Sequence, residues 1–125
     1  MDWRVWAIRG AVTVPENTQG AIRDAVTELI DAVEARNCLD PGYIISATFS
    51  VTRDLDAVFP AAIARQRPEW DSIALLDVQH MHVEGSLPNC IRMLMHVQLP
   101  IRHSKVQHVY LRGARDLRPD LVVTG

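Results

Sequence analysis

Cysteine is scarce in this chain, and its scarcity already narrows the possibilities. Cys38 and Cys90 are the only two among 125 residues, and they form no CxxC pair. That excludes a disulfide framework and makes a reducing, cytoplasmic setting the expectation. No stretch approaches the roughly 18 uninterrupted apolar residues of a membrane helix. The start, MDWRVWAIRGAV, lacks both the basic opening and the continuous apolar run of a secretion signal. A dominant charge is missing too, since 13 Lys and Arg against 15 Asp and Glu leave a net charge of −2. No global field therefore favours nucleic acid or an anionic membrane, and any anion bound here must be met by a local group of cations. Gly10, Gly20, Gly42, Gly85 and Gly113 stand singly, which excludes a glycine-rich phosphate loop. Ser46, Ser50 and Ser86 have no GxSxG context, so nothing points to a serine nucleophile.

What is present is a series of strand patterns broken by one strong and one short helix pattern. Trp3 to Val14 is rich in β-branched and aromatic residues and predicts a strand that Pro15 ends. The segment NTQGAIRDAVTELIDAVEARN offers Asn17 or Thr18 as N-cap and sets Ala21, Ile22, Ala25, Val26, Leu29, Ile30 and Val33 at helical spacing. Asp40-Pro41-Gly42 reads as a turn, and YIISATFSV as a strand with small residues interleaved. A short helix is expected from Ala57 to about Arg67, with Pro60 in its first turn and Pro68 closing it. SIALLDVQ reads as a buried strand, EGSLP as a loop, and CIRMLMHVQLP and HVYLR as further strands. The tail LRPDLVVTG has no period of its own and must dock elsewhere to be ordered.

This order predicts a single α+β domain over residues 1–125, a mixed sheet with one long and one short helix. Two helices cannot cover both faces of such a sheet, and a chain this small buries only a modest core of its own. A closed oligomer is therefore expected, although the pattern alone does not choose between dimer and trimer.

The residues that stand out chemically are arginines in segments expected to be rigid: Arg9, Arg65, Arg92 and Arg118. Arg92, between Ile91 and Met93, needs either an anionic partner or open solvent, and both remain open from pattern alone. Tyr110 brings a phenol to the same region or simply packs. His80 and His82 lie two apart and on a strand would share a face, with Asp77, Glu84 or His96 as further ligand candidates, but no third-ligand motif accompanies them. Neither a metal nor a cofactor is expected.

Four segments, IRGAVTV, TRDLDAVFPAAIARQ, SLPNCIRMLMHVQ and HVYLRGARDLRPDL, occur in an order that resembles the AroH-type monofunctional chorismate mutases over nearly the whole chain. The resemblance implies a trimeric pseudo α/β barrel with three active sites in clefts between neighbours. It implies a [3,3] rearrangement of chorismate into prephenate, without nucleophile or metal, in which the enzyme restrains the substrate and stabilises charge growing on the ether oxygen. Divergence toward another small carboxylate, or a non-catalytic trimer that binds a metabolite, are the alternatives. By position, the resemblance makes Arg92 the main electrostatic catalyst and gives Arg9 and Tyr110 the side-chain carboxylate. It places Phe59, Ala61, Arg65 and Leu76 around the substrate, with Leu117 and Arg118 in a tail that folds over it.

The sequence departs from the family pattern at three positions. Asp77 and His80 stand where a cysteine and a glutamate are usual, and Ala62 stands in place of a common lysine. The expectation is that the carboxylate has moved to Asp77, faces Arg92 and meets the substrate hydroxyl, while His80 supplies shape or a weaker polar contact.

Overall fold

The structure is a computed structural model that describes residues 2–102 and 105–121. Strand β1 (Trp3–Thr13) leads into helix α1 (Gln19–Arg36), followed by β2 (Ile44–Val51), the short helix α2 (Pro60–Ala64), β3 (Ala74–Gln79), β4 (Cys90–Pro100) and β5 (Val109–Leu111). The five strands form one sheet in the order β3-β2-β4-β1-β5. β4 runs antiparallel to both β1 and β2, while β2 with β3 and β1 with β5 are parallel pairs. The expected mixed α+β sheet with one long and one short helix is what the chain forms.

Period-two alternation decides what each face carries. On β4, Ile91, Met93, Met95, Val97 and Leu99 are buried against the helices, and Arg92, Leu94, His96 and Gln98 point the other way. On β1, Ile8, Gly10 and Val12 take the helix side. Thr18 caps α1 by accepting from the Ala21 N–H at 3.1 Å. The helix then lays Ile22, Val26, Leu29, Ile30 and Val33 on the sheet. At Gly10 the two come close, for a Cβ there would lie 3.1 Å from the Leu29 side chain.

Both helices lie on one side, so the opposite face of the sheet is largely uncovered. Trp3, Val5, Leu76, Val78 and Leu94 are exposed apolar residues. One end of that face is closed by the chain itself. Arg112 donates to Glu28 and to the Thr13 carbonyl, and the Gly113 N–H donates to the Thr13 hydroxyl. This pins the segment Arg112–Asp116 over β1 and builds a second small cluster from Ala11, Cys90, Tyr110 and Ala114. The tail thus packs through Leu117, Pro119–Leu121 follows as a single 3₁₀ turn, and residues 122–125 lie outside those described.

Two expectations need correction. The short helix spans only Pro60–Ala64, not Ala57 to Arg67. Upstream, the Asp56 and Ala57 N–H groups are taken by the Asn17 side chain, which holds that stretch out of helix. Downstream, the Gln66 and Arg67 N–H groups reach back only three residues, and Arg67 pairs with Asp31 and Glu34 on α1. Second, β3 is not a buried strand but the edge of the sheet, with Leu76 57 % exposed. Its apolar composition reflects a surface left open rather than a core position.

Candidate functional site

The cationic end of the site is built on the open face of the sheet, and strand register sets its spacing. Arg92 on β4 lies opposite Ala11 on β1 and Ser50 on β2, and Tyr110 on β5 pairs with Ala11 from the other side. Arg9 lies opposite Leu94, one rung of the same face away. With Leu117 and Arg118 from the docked tail, these side chains surround a cavity of about 480 Å³ that Thr48 and Ser50 floor.

Arg92 enters this cavity from a firmly held strand start. The Cys90 N–H donates to the Thr52 hydroxyl at 3.0 Å, the Thr52 N–H donates to the Cys90 carbonyl, and the Asp54 carboxylate accepts the Asn89 N–H. The Arg92 Nε is buried with no hydrogen-bond partner. A guanidinium in that state is prepared for an acceptor supplied from outside the chain. Beneath it, burial pushes the Cys90 thiol up, while the adjacent Arg92 guanidinium pulls it down through its charge and through a side-chain hydrogen bond to the sulfur, so it is the Nε alone that has no partner. Arg118 makes a two-pronged pair with Asp120, at 3.1 and 2.9 Å, which raises the guanidinium and lowers the carboxyl.

His80 stands beside this group. Its Nδ1 lies 3.3 Å from the Ser50 hydroxyl, and its pKa is lowered by burial first and by the Arg92 charge second. It is therefore a neutral polar group close to the catalytic candidate. His82 instead approaches Glu84 at 3.7 Å, and among the described residues no group of three or more His, Cys, Asp or Glu is placed to hold a metal ion.

The remaining candidates gather elsewhere. Phe59 and Asp77 line a separate cavity of about 560 Å³ along the β3 edge, with Leu55, Val58 and Pro60. The Asp77 Oδ1 accepts the Ala61 N–H at 3.0 Å. Burial raises the Asp77 pKa above 3.8, opposed by that hydrogen bond and by the Arg65 charge. Phe59 is 69 % exposed. Leu76, opposite Thr48, points to the open face on the same edge strand.

The expectation that Asp77 faces Arg92 is corrected within one chain. Asp77 pairs with Phe49, as Met93 does, whereas Arg92 pairs with Ser50. Directly paired residues share a face, so the single-residue offset puts Asp77 on the helix side and Arg92 on the other. Arg9, Arg92, Tyr110, Leu117 and Arg118, with His80 beside them, form one group. Phe59, Ala61, Arg65 and Asp77 form a second, with Leu76 between.

Sequence reasoning missed Thr48 and Ser50 on the cavity floor. The small residues interleaved in YIISATFSV were the signal, because a floor beneath a bound molecule must keep its side chains short. It also missed His108, whose Nδ1 accepts the Arg9 backbone N–H at 2.9 Å.

Against known proteins, residues 5–121 match the model of the family described as chorismate mutase type I. The chain is 37 % identical over 117 residues to the chorismate mutase AroH of Bacillus subtilis, covering 94 % of this chain and 92 % of that one. It is 42 % identical over 118 residues to the chorismate mutase AroH of Thermus thermophilus, covering 94 % and 96 %. A solved chorismate mutase from Clostridium thermocellum superposes with a TM-score of 0.83 at 44 % identity, covering 89 % of this chain and 98 % of that one.

Proposed function

The chain belongs to the type I chorismate mutases, and from that premise we infer that it converts chorismate to prephenate in a site shared between subunits of a homotrimer. The observation that carries this reading is the convergence of Arg9, Arg92, Arg118 and Tyr110 on one open-faced cavity, with the Arg92 Nε buried and unpartnered.

The rearrangement breaks the ether C–O bond while a C–C bond forms, with no net proton transfer. Its needs are a folded substrate conformer and positive charge at the ether oxygen. Arg92 donates to that oxygen and to one carboxylate. Arg9 and Tyr110 hold the side-chain carboxylate, and Arg118 and Leu117 cover it from the tail. Because Arg92 is fixed by β-sheet register before substrate arrives, little reorganisation is spent during the reaction. A preorganised donor of this kind contributes about 3–4 kcal/mol.

The second group, Phe59, Ala61, Arg65 and Asp77, enters the cleft from a neighbouring subunit together with that subunit's Leu76. Two observations support this. Arg9, Arg92, Tyr110, Leu117 and Arg118 line one cavity while Phe59 and Asp77 line another within one chain, and the open face carries exposed apolar residues of the kind a partner covers. On this reading Asp77 retains its role toward the substrate hydroxyl across the interface rather than within its own chain, and His80 adds a neutral contact beside Arg92.

The reading is tested by following loss of chorismate absorbance, with prephenate identified by NMR, and by subunit mixing. Arg92→Ala and Arg65→Ala should each be strongly impaired. After subunit exchange at equal amounts, about a quarter of the sites in a cyclic trimer join an intact Arg92 to a neighbour's intact Arg65. Activity should return to about that fraction. No recovery despite demonstrated exchange refutes shared sites, sedimentation as a stable monomer refutes the trimer, and binding of chorismate without turnover refutes the enzyme.

A further inference from the structure

At the Arg9 end of the site the chain makes a contact between β1 and the residue preceding β5. Strands β1 and β5 pair in parallel only from Gly10 with Val109 through Val12 with Leu111. Just before the first rung, the Arg9 N–H turns toward the β5 side and donates to His108 Nδ1 at 2.9 Å, taking a side-chain acceptor in place of a backbone carbonyl. This one bond ties the residue that bears the Arg9 guanidinium to the strand that, two residues on, bears Tyr110. We propose that His108 is a positioning residue for the substrate-carboxylate end of the site, holding Arg9 and Tyr110 in register only while its imidazole is neutral. The inference rests on the reading of Arg9 as a carboxylate clamp.

An imidazole that accepts through Nδ1 carries its proton on Nε2 and is uncharged. Protonating Nδ1 removes the acceptor, sets two donors against each other, and adds a positive charge to a crowded region. The charged groups acting on His108 are Arg9 on β1 and Arg118 in the tail, and Arg118 is in turn met by Asp120 and by Tyr110 on β5. Burial first, then Arg9 and Arg118, hold the His108 pKa below 6.5. The neutral form is therefore the resident one at neutral pH, and the bond to Arg9 is lost as the pH falls through the folded-state value. Substrate binding at this end weakens in the same window.

The test uses the full-length enzyme and steady-state kinetics with chorismate from about pH 5 to pH 8, the range over which a histidine titrates. His108→Ala should raise KM about five- to tenfold, the worth of one net hydrogen bond, with kcat within about twofold, because developing charge is met by Arg92. His108→Asn offers an amide oxygen near the position of Nδ1 without a titrating group. It should keep a near-native KM and flatten the acid limb of kcat/KM. Circular dichroism establishes that each variant is folded, and His108→Asn carries the test if His108→Ala is not. A wild-type KM in His108→Ala, or an unchanged acid limb in folded His108→Asn, overturns the proposal. Arg9→Ala separates the two levels: a raised KM there with no effect of His108→Ala defeats this inference alone, whereas an unaltered KM defeats the clamp reading beneath it.

Discussion

Replacing Arg92 with alanine should separate catalysis from stability more cleanly than any other change in this protein. Its guanidinium sits over the cavity floor with Nε buried and unpartnered in the free chain. In the role proposed for it, that donor faces negative charge in the transition state which the ground state does not carry. A donor so placed is worth about 3–4 kcal/mol, and at about 1.36 kcal/mol per decade this becomes a loss of roughly 10²- to 10³-fold in kcat. Folding moves in the other direction. A buried donor left unsatisfied costs about 1–3 kcal/mol, which alanine relieves while giving up the packing of the side-chain stem. Arg92→Ala should therefore melt at or above the wild-type temperature while turning over poorly, and Arg92→Lys, which keeps charge but loses the planar fork, should fall between. The assay is initial rate against chorismate concentration by absorbance, paired with thermal denaturation of the same samples. A folded Arg92→Ala protein with kcat within tenfold of wild type and only KM raised refutes the reasoning, because it shows uniform binding rather than transition-state stabilisation.

Three further outcomes follow from the same geometry. Because burial raises the Asp77 carboxyl above 3.8, the folded state holds that proton more firmly than the unfolded chain, and stability falls as pH rises through the window between 3.8 and the folded value. Asp77→Asn, whose amide oxygen still accepts the Ala61 N–H, should match or exceed wild type in melting temperature at neutral pH, lose that advantage on acidification, and show reduced turnover; a large destabilisation at pH 7 contradicts the sign. The buried Asn37 side chain donates to the Val33 and Gln107 carbonyls and accepts the Gln107 N–H, so Asn37→Ala should cost about 2–3 kcal/mol in denaturant unfolding, and a loss within experimental scatter contradicts that account. The lowered pKa of His80, set by burial and Arg92, means that its neutral form stabilises the fold above about pH 6.5 and that this contribution fades as pH falls through the folded value, which His80→Gln should abolish in melting curves taken across that range.

Local pattern was enough for the parts of this protein whose interactions are local. The α1 helix was legible because Thr18 and the apolar positions from Ile22 to Val33 satisfy one another within a few turns. The apolar alternation on β1 and β4 was legible because one face of each is buried regardless of its neighbours. The chemistry of the arginines could be read from residue type, since a guanidinium in an apolar strand has few stable settings. The four family segments carried the identity of the reaction for the same reason, each being a contiguous stretch. Whatever depended on which strand lies beside which was decided only by the tertiary structure. The edge position of β3, the shortening of α2 by Asn17 and Arg67, the approach of His80 to Ser50 and Arg92, and the bond from Arg9 to His108 all join residues distant in sequence. Asp77 shows the cause most plainly. A step of one residue along a strand reverses the face, so a carboxylate assigned to the side of Arg92 came to lie on the opposite side of the sheet, against the Ala61 N–H, because lateral register is a long-range agreement between strands that no single segment encodes.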